Sequence, residues 1–157
     1  MKQKIFALLA AGMMAFTAQA QTEKALLVGA GEAKEISLSD NLKVVLVQAN
    51  PDDQQFFIAK DAAQKLRLVF SGNSLHIDAN ETLAEGTTVY LQVGDLQSLR
   101  VGENTLVTTR GVLNTPSLNL YINDGSRASL KVSGKVKAFP LGQNELSIQR
   151  KPLALKK

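Results

Sequence analysis

The chain has 157 residues, enough for one domain, with 45% hydrophobic residues, 20% charged residues and a formal net charge of +4. Those proportions exclude a disordered polymer. The absence of cysteine excludes disulfides, thiolate nucleophiles, zinc fingers and a lipid-bearing cysteine, and acidic and basic residues are interspersed as far as Arg127, so there is no dense basic patch of the kind that binds nucleic acid.

Residues 1–20 read as an export signal. Lys2 and Lys4 form a positive start, residues 5–11 and 13–16 a short apolar run, and Ala18-Gln19-Ala20 a small-x-small cleavage site. The run is too short for a membrane span of about 20 residues. The mature chain is therefore expected to begin at Gln21, to contain no transmembrane span, and to work in the periplasm or outside the cell, at its surface. Loss of Lys2 and Lys4 lowers its net charge from +4 to +2.

Residues 21–33 are expected to be a flexible leader that at most packs a first strand through Ala25 to Val28. Gly29-Ala30-Gly31 lacks the spacing of a phosphate loop. Ile36 and Leu38 then alternate with Glu35, Ser37 and Ser39, and Asp40-Asn41 turns the chain into Leu42, Val44 and Leu46, which oppose Val45 and Val47. A strand apolar on both sides belongs near a sheet centre or under cover on both faces. Asn50-Pro51-Asp52-Asp53 predicts a turn, residues 56–59 a short strand, and residues 61–65 at most one helical turn. Leu66, Leu68 and Phe70, the turn Ser71-Gly72-Asn73-Ser74, and Leu75, Ile77 and Ala79 predict a hairpin. His76, the single histidine, falls out of phase with the apolar positions and should face solvent, and one histidine without cysteine makes no metal site.

After a polar link at 80–86 come short rungs: Val89, Leu91 and Val93 alternating with Tyr90 and Gln92, then Leu99-Arg100-Val101, Leu106-Val107, Leu118, Leu120 and Ile122 alternating with Asn119 and Tyr121, Leu130-Lys131-Val132, and Val136. Glycine or asparagine marks the turns between them. Ser98-Leu99-Arg100-Val101 returns as Ser129-Leu130-Lys131-Val132, and Val89-x-Leu91-x-Val93 as Leu118-x-Leu120-x-Ile122, about 30 residues on in each case; this spacing predicts the coil of a β-solenoid, each coil laying an apolar face on the next. The fold class is all-β, a β-solenoid-like single domain over 34–138 with a hairpin in its N-terminal part. Residues 139–157 form a basic tail, within which Leu146 and Ile148 offer one last strand. From Arg127 onward eight basic residues face one acid, Glu145, which suits a weak contact with an anionic surface or simply a solvated end that discourages edge pairing.

Residues 36–46, the Leu66–Ile77 hairpin pattern, Val89-x-Leu91-x-Val93-Gly94-Asp95-Leu96-x-x-Leu99-x-Val101-Gly102, and Leu118-x-Leu120-x-Ile122-Asn123-Asp124-Gly125-Ser126 together resemble the head GIN domain family, which carries an auto-transporter adhesin label. The resemblance covers roughly residues 33–138. It implies a secreted or cell-envelope protein folded as a right-handed parallel β-helix, and it brings no catalytic residues. Here the repeats stop near Ala138, sooner than in the family pattern.

The function class expected is therefore a non-enzymatic binding module with an unidentified glycan or protein ligand and no cofactor. Tyr90 and Tyr121 occupy matching places in the two echoed strands, point away from the core, and are the candidate ligand contacts, although outward tyrosines are also ordinary strand formers. A structural or regulatory envelope component completed by a partner at an edge strand is the alternative. A polysaccharide-active enzyme is disfavoured because the acids Asp40, Asp52, Asp53, Asp95, Glu103 and Asp124 are scattered over turns; only Asp95 and Asp124, each after an echoed strand, have a route to approach one another.

Overall fold

Alternation of apolar and polar side chains carries almost the whole of the architecture. A computed structural model describes residues 24–30, 32–49, 60–80, 83 and 87–151. The signal segment, the turn at 50–53, the strand expected at 56–59 and the end of the basic tail lie outside the described residues. The described strands are β1 (Lys24–Gly29), β2 (Glu35–Leu38), β3 (Lys43–Gln48), β4 (Leu66–Ser71), β5 (Ser74–Ala79), β6 (Thr87–Val93), β7 (Ser98–Val101), β8 (Leu106–Arg110), β9 (Ser117–Ile122), β10 (Arg127–Val132), β11 (Lys135–Pro140) and β12 (Glu145–Arg150). One six-residue helix, α1 (Lys60–Lys65), precedes β4.

These strands form two six-stranded sheets. The first runs β1-β6-β3-β8-β10-β12 and the second β11-β9-β7-β2-β5-β4. Successive strands go to opposite sheets, except that β4 and β5 are both in the second. All pairings are parallel except the β4–β5 hairpin, which turns through Gly72 at φ +59° as its sequence predicts. Val44, Leu46, Val89, Leu91 and Val107 from the first sheet and Ile36, Leu99, Leu118, Leu120 and Ile122 from the second are buried in one continuous core. Each such side chain stabilises the fold by about 1.5–3 kcal/mol. β3 lies inside the first sheet, which accounts for its apolar residues on both faces.

The register corrects the coil length expected from the sequence echo. In the second sheet Ile36 pairs with Leu99, Leu99 with Leu120 and Leu120 with Ala138. In the first sheet Val44 pairs with Val107, Val107 with Ala128 and Ala128 with Leu146. Both columns step by 63, then 21, then 18 residues. The echoed segments do not stack: β6 is in the first sheet and β9 in the second, and β7 and β10 are likewise apart. They look alike because strands facing one core from opposite sides need the same alternation. The leader contains β1, paired in parallel with β6; β11 runs through Pro140; and Leu146 and Ile148 do lie in a last strand, β12, against β10.

Four connections from the second sheet to the first have the same length, four residues: 39–42, 102–105, 123–126 and 141–144. They stack into a column. Each has one residue in the left-handed region, Asn41 (φ +61°), Asn104 (+52°), Gly125 (+71°) and Gly142 (+72°), the residue types that adopt it at low cost. Backbone N–H groups of Asn41, Asn104 and Gly125 donate to the carbonyls of Glu103, Asp124 and Gln143 in the next turn. Thr105 and Ser126, both buried, form a polar spine inside the column. Thr105 Oγ1 accepts from Leu42 N–H (3.2 Å) and donates to the Ser39 carbonyl (2.9 Å); Ser126 Oγ accepts from Thr105 N–H (3.0 Å) and donates to the Gly102 carbonyl. Backbone groups that would be stranded inside are thereby satisfied.

Candidate binding surface

Parallel in-register strands place equivalent side chains side by side, about 4.8 Å apart. On the outer face of the second sheet this produces one mixed row. Val69 is opposite His76, His76 opposite Ser37, Ser37 opposite Arg100, Arg100 opposite Tyr121 and Tyr121 opposite Phe139. The rings of Tyr121 and Phe139 stack at 4.8 Å between centroids and 11° between planes, the separation that the strand spacing imposes. The guanidinium carbon of Arg100 lies 4.4 Å from the centre of the Tyr121 ring, and Lys137 Nζ lies 5.2 Å from that of Phe139. Both are cation–π contacts. His76 and Arg100 are exposed, as expected for His76, and Tyr121 and Phe139 are half-buried.

Tyr90 lies elsewhere. It is half-buried on the outer face of the first sheet, where its row contains Leu27 and Val45, with the guanidinium carbon of Arg110 5.7 Å from the ring centre. The two tyrosines thus point away from the core as their alternation predicts, but from opposite sheets, and form no common site. The Tyr121 ring is also unsuited to lying flat under a sugar, because Arg100 and Phe139 cover its two faces. What it presents is an edge and a hydroxyl in a row with a guanidinium.

The acids are arranged by the turn column. Asp40, Glu103 and Asp124 occupy successive turns. Asp40 Oδ1 accepts from Glu103 N–H at 2.7 Å, and Asp124 Oδ1 from Gln143 N–H at 2.6 Å. Asp40 and Asp124 are thus committed to capping backbone. Asp95 lies in a connection of the opposite kind, from β6 in the first sheet to β7 in the second, with Oδ2 accepting from Gln97 Nε2 at 3.1 Å, so the approach of Asp95 and Asp124 is not realised. Among the described residues no group of three or more His, Cys, Asp or Glu side chains is placed to hold a metal ion. Arg100 and Phe139, missed in the sequence, were reachable in principle: they stand 21 residues before and 18 after Tyr121, the true register steps.

A family model described as "Putative auto-transporter adhesin, head GIN domain" matches residues 33–140. No curated protein and no solved structure matches the chain. No helix among the described residues is long and apolar enough to cross a membrane.

Proposed function

The chain belongs to the head GIN domain family, and from that premise we propose that it is a non-enzymatic, exported binding module of right-handed parallel β-helix form, adhesin-like in role, working in the periplasm or at the cell surface. The mainly parallel pairing of strands that alternate between two sheets supports the β-helix reading. The row Ser37–Arg100–Tyr121–Phe139 is the observation that carries the binding reading. It offers guanidinium, phenol and hydroxyl groups on a flat face whose shape the parallel register fixes in advance, so little conformational freedom is lost on contact. A polar glycan or a polar protein surface suits it.

An array of glycans and envelope proteins probed with wild type, Tyr90→Ala and the Arg100→Ala/Tyr121→Ala pair tests this. The pair should lose the ligand signal while Tyr90→Ala keeps it. Signals unchanged by the pair would remove this face from the function. Turnover of polysaccharide by the purified protein would overturn the non-enzymatic reading.

A further inference from the structure

The two ends of the strand stack are finished differently. At one end α1, with Ala62 fully buried, packs on β1 and β4. At the other end β11 and β12 are the outermost strands of their sheets. Their inward positions are incompletely covered: Val136, Ala138 and Ile148 are half-buried and Leu146 is 37% exposed, while Leu141, in the turn between the two strands, is 64% exposed. Strand parity locates the free backbone groups. Lys135 N–H donates to the Pro116 carbonyl and Leu141 N–H to the Ile122 carbonyl, both toward β9, so the N–H and C=O groups of Val136 and Ala138 point to the uncovered side. Pro140 has the same parity, where a missing N–H costs no ladder bond.

The outward face of this edge is charged. Lys135 and Lys137 are exposed on β11, followed by Phe139, the last side chain of the mixed outer row. The acid of this layer, Glu145, lies on the other strand, paired with Arg127 at 3.3 Å. A second copy docked strand to strand would set lysines against lysines, which is how natural edges discourage self-pairing. An acidic strand would meet them with opposite charge.

We propose that β11 is a docking edge for an acidic, extended segment of another protein. The segment adds a strand beside β11, bonds the N–H and C=O groups of Val136 and Ala138, places carboxylates opposite Lys135 and Lys137, and sets an aromatic or aliphatic side chain beside Phe139. Its alternate side chains cover Val136 and Ala138. This is strand addition, with main-chain bonds giving affinity and the alternate side chains giving choice of partner. It extends the binding-module reading to a polypeptide partner and shares Phe139 with the outer row, but it rests on the backbone and lysines of β11 and not on Arg100 and Tyr121, so either assignment can fail while the other stands.

The test is fluorescence anisotropy with two labelled peptides, Glu-Val-Glu-Val-Tyr-Val and Lys-Val-Lys-Val-Tyr-Val, and the purified protein. The acidic peptide should bind about tenfold more tightly, and Lys135→Glu/Lys137→Glu should reverse that preference in a protein that still unfolds cooperatively. Ala138→Pro, which keeps the bonds to β9, should weaken the acidic peptide about tenfold. Equal binding of the two peptides, or a preference that survives the charge reversal, would overturn the proposal. So would a tenfold gain in affinity on deleting residues 152–157, which would make the chain's own end the occupant, or a dimer in sedimentation that dissociates in the Ala138→Pro variant.

Discussion

From β9 to β12 each strand pairs with the one two places before it, whereas β6 enters the first sheet between β1 and β3, strands made earlier in the chain. The two regions bury the same kinds of side chain in one core but by different chain paths. In the C-terminal region paired residues are 18 or 21 apart. In the N-terminal region Leu26 pairs with Val89 and Val44 with Val89, separations of 63 and 45. Closing the longer loops costs only about 1 kcal/mol more per contact, so the paths differ little in stability. They should differ in rate, because long-range pairings reward the chain late in folding. The C-terminal layers can form on local contacts, and β6 must then find a slot between strands distant in sequence.

Substitutions can break or sharpen this contrast, beginning with the most severe. Leu120→Asp in the serial region and Leu91→Asp in the interleaved one should both abolish the cooperative urea transition, at a cost above about 4 kcal/mol, because each puts an unpartnered charge into the shared core. Loss of only half the strand signal in either variant would mean that the regions fold independently. Gly125→Val should cost about 2–4 kcal/mol, since it combines strain at φ +71° with a collision between its Cβ and the Asn104 side chain. Gly111→Ala, at φ +77° but with open space around it, should cost about 1 kcal/mol; equal melting shifts would show that the column is not tightly stacked. Ser126→Ala leaves the Thr105 N–H buried without an acceptor and should cost about 1–3 kcal/mol by denaturant titration. Tyr121→Asp gives up the ring stack and the Arg100 contact, about 1–2 kcal/mol, and should still fold, in contrast with its neighbour Leu120→Asp. The smallest global effect belongs to Ile148→Asp at the open end. Hydrogen exchange should quicken in β11 and β12 and stay slow in β1 to β10.

Alternation alone made the inward and outward faces readable: Leu120 against Tyr121, Ile77 against His76, and the hairpin around Gly72 all follow from it. The partners of each strand were not readable. Facing inward is a property of a residue and its neighbours, whereas membership of a sheet depends on the path of the chain between strands. That is why Val89–Val93 and Leu118–Ile122 look like successive turns of one column and lie on opposite sides of the core. The outer row of the second sheet suffered the same fate. Tyr121 was identifiable as an outward aromatic residue, but Arg100 and Phe139 become its neighbours only once the 21- and 18-residue steps are known. Asp40 and Asp124 were legible as turn residues, and the structure adds the backbone groups they cap.

The uniform four-residue turns have a consequence for how such a chain can diversify. Their counterparts on the opposite flank, from β6 to β7, β8 to β9 and β10 to β11, are four, six and two residues long. A residue gained or lost on the uniform flank would disrupt the stack of left-handed residues and break the Thr105–Ser126 spine. Insertions and deletions are therefore channelled to the other flank, which is where a descendant, or an engineer grafting a loop, has freedom to work.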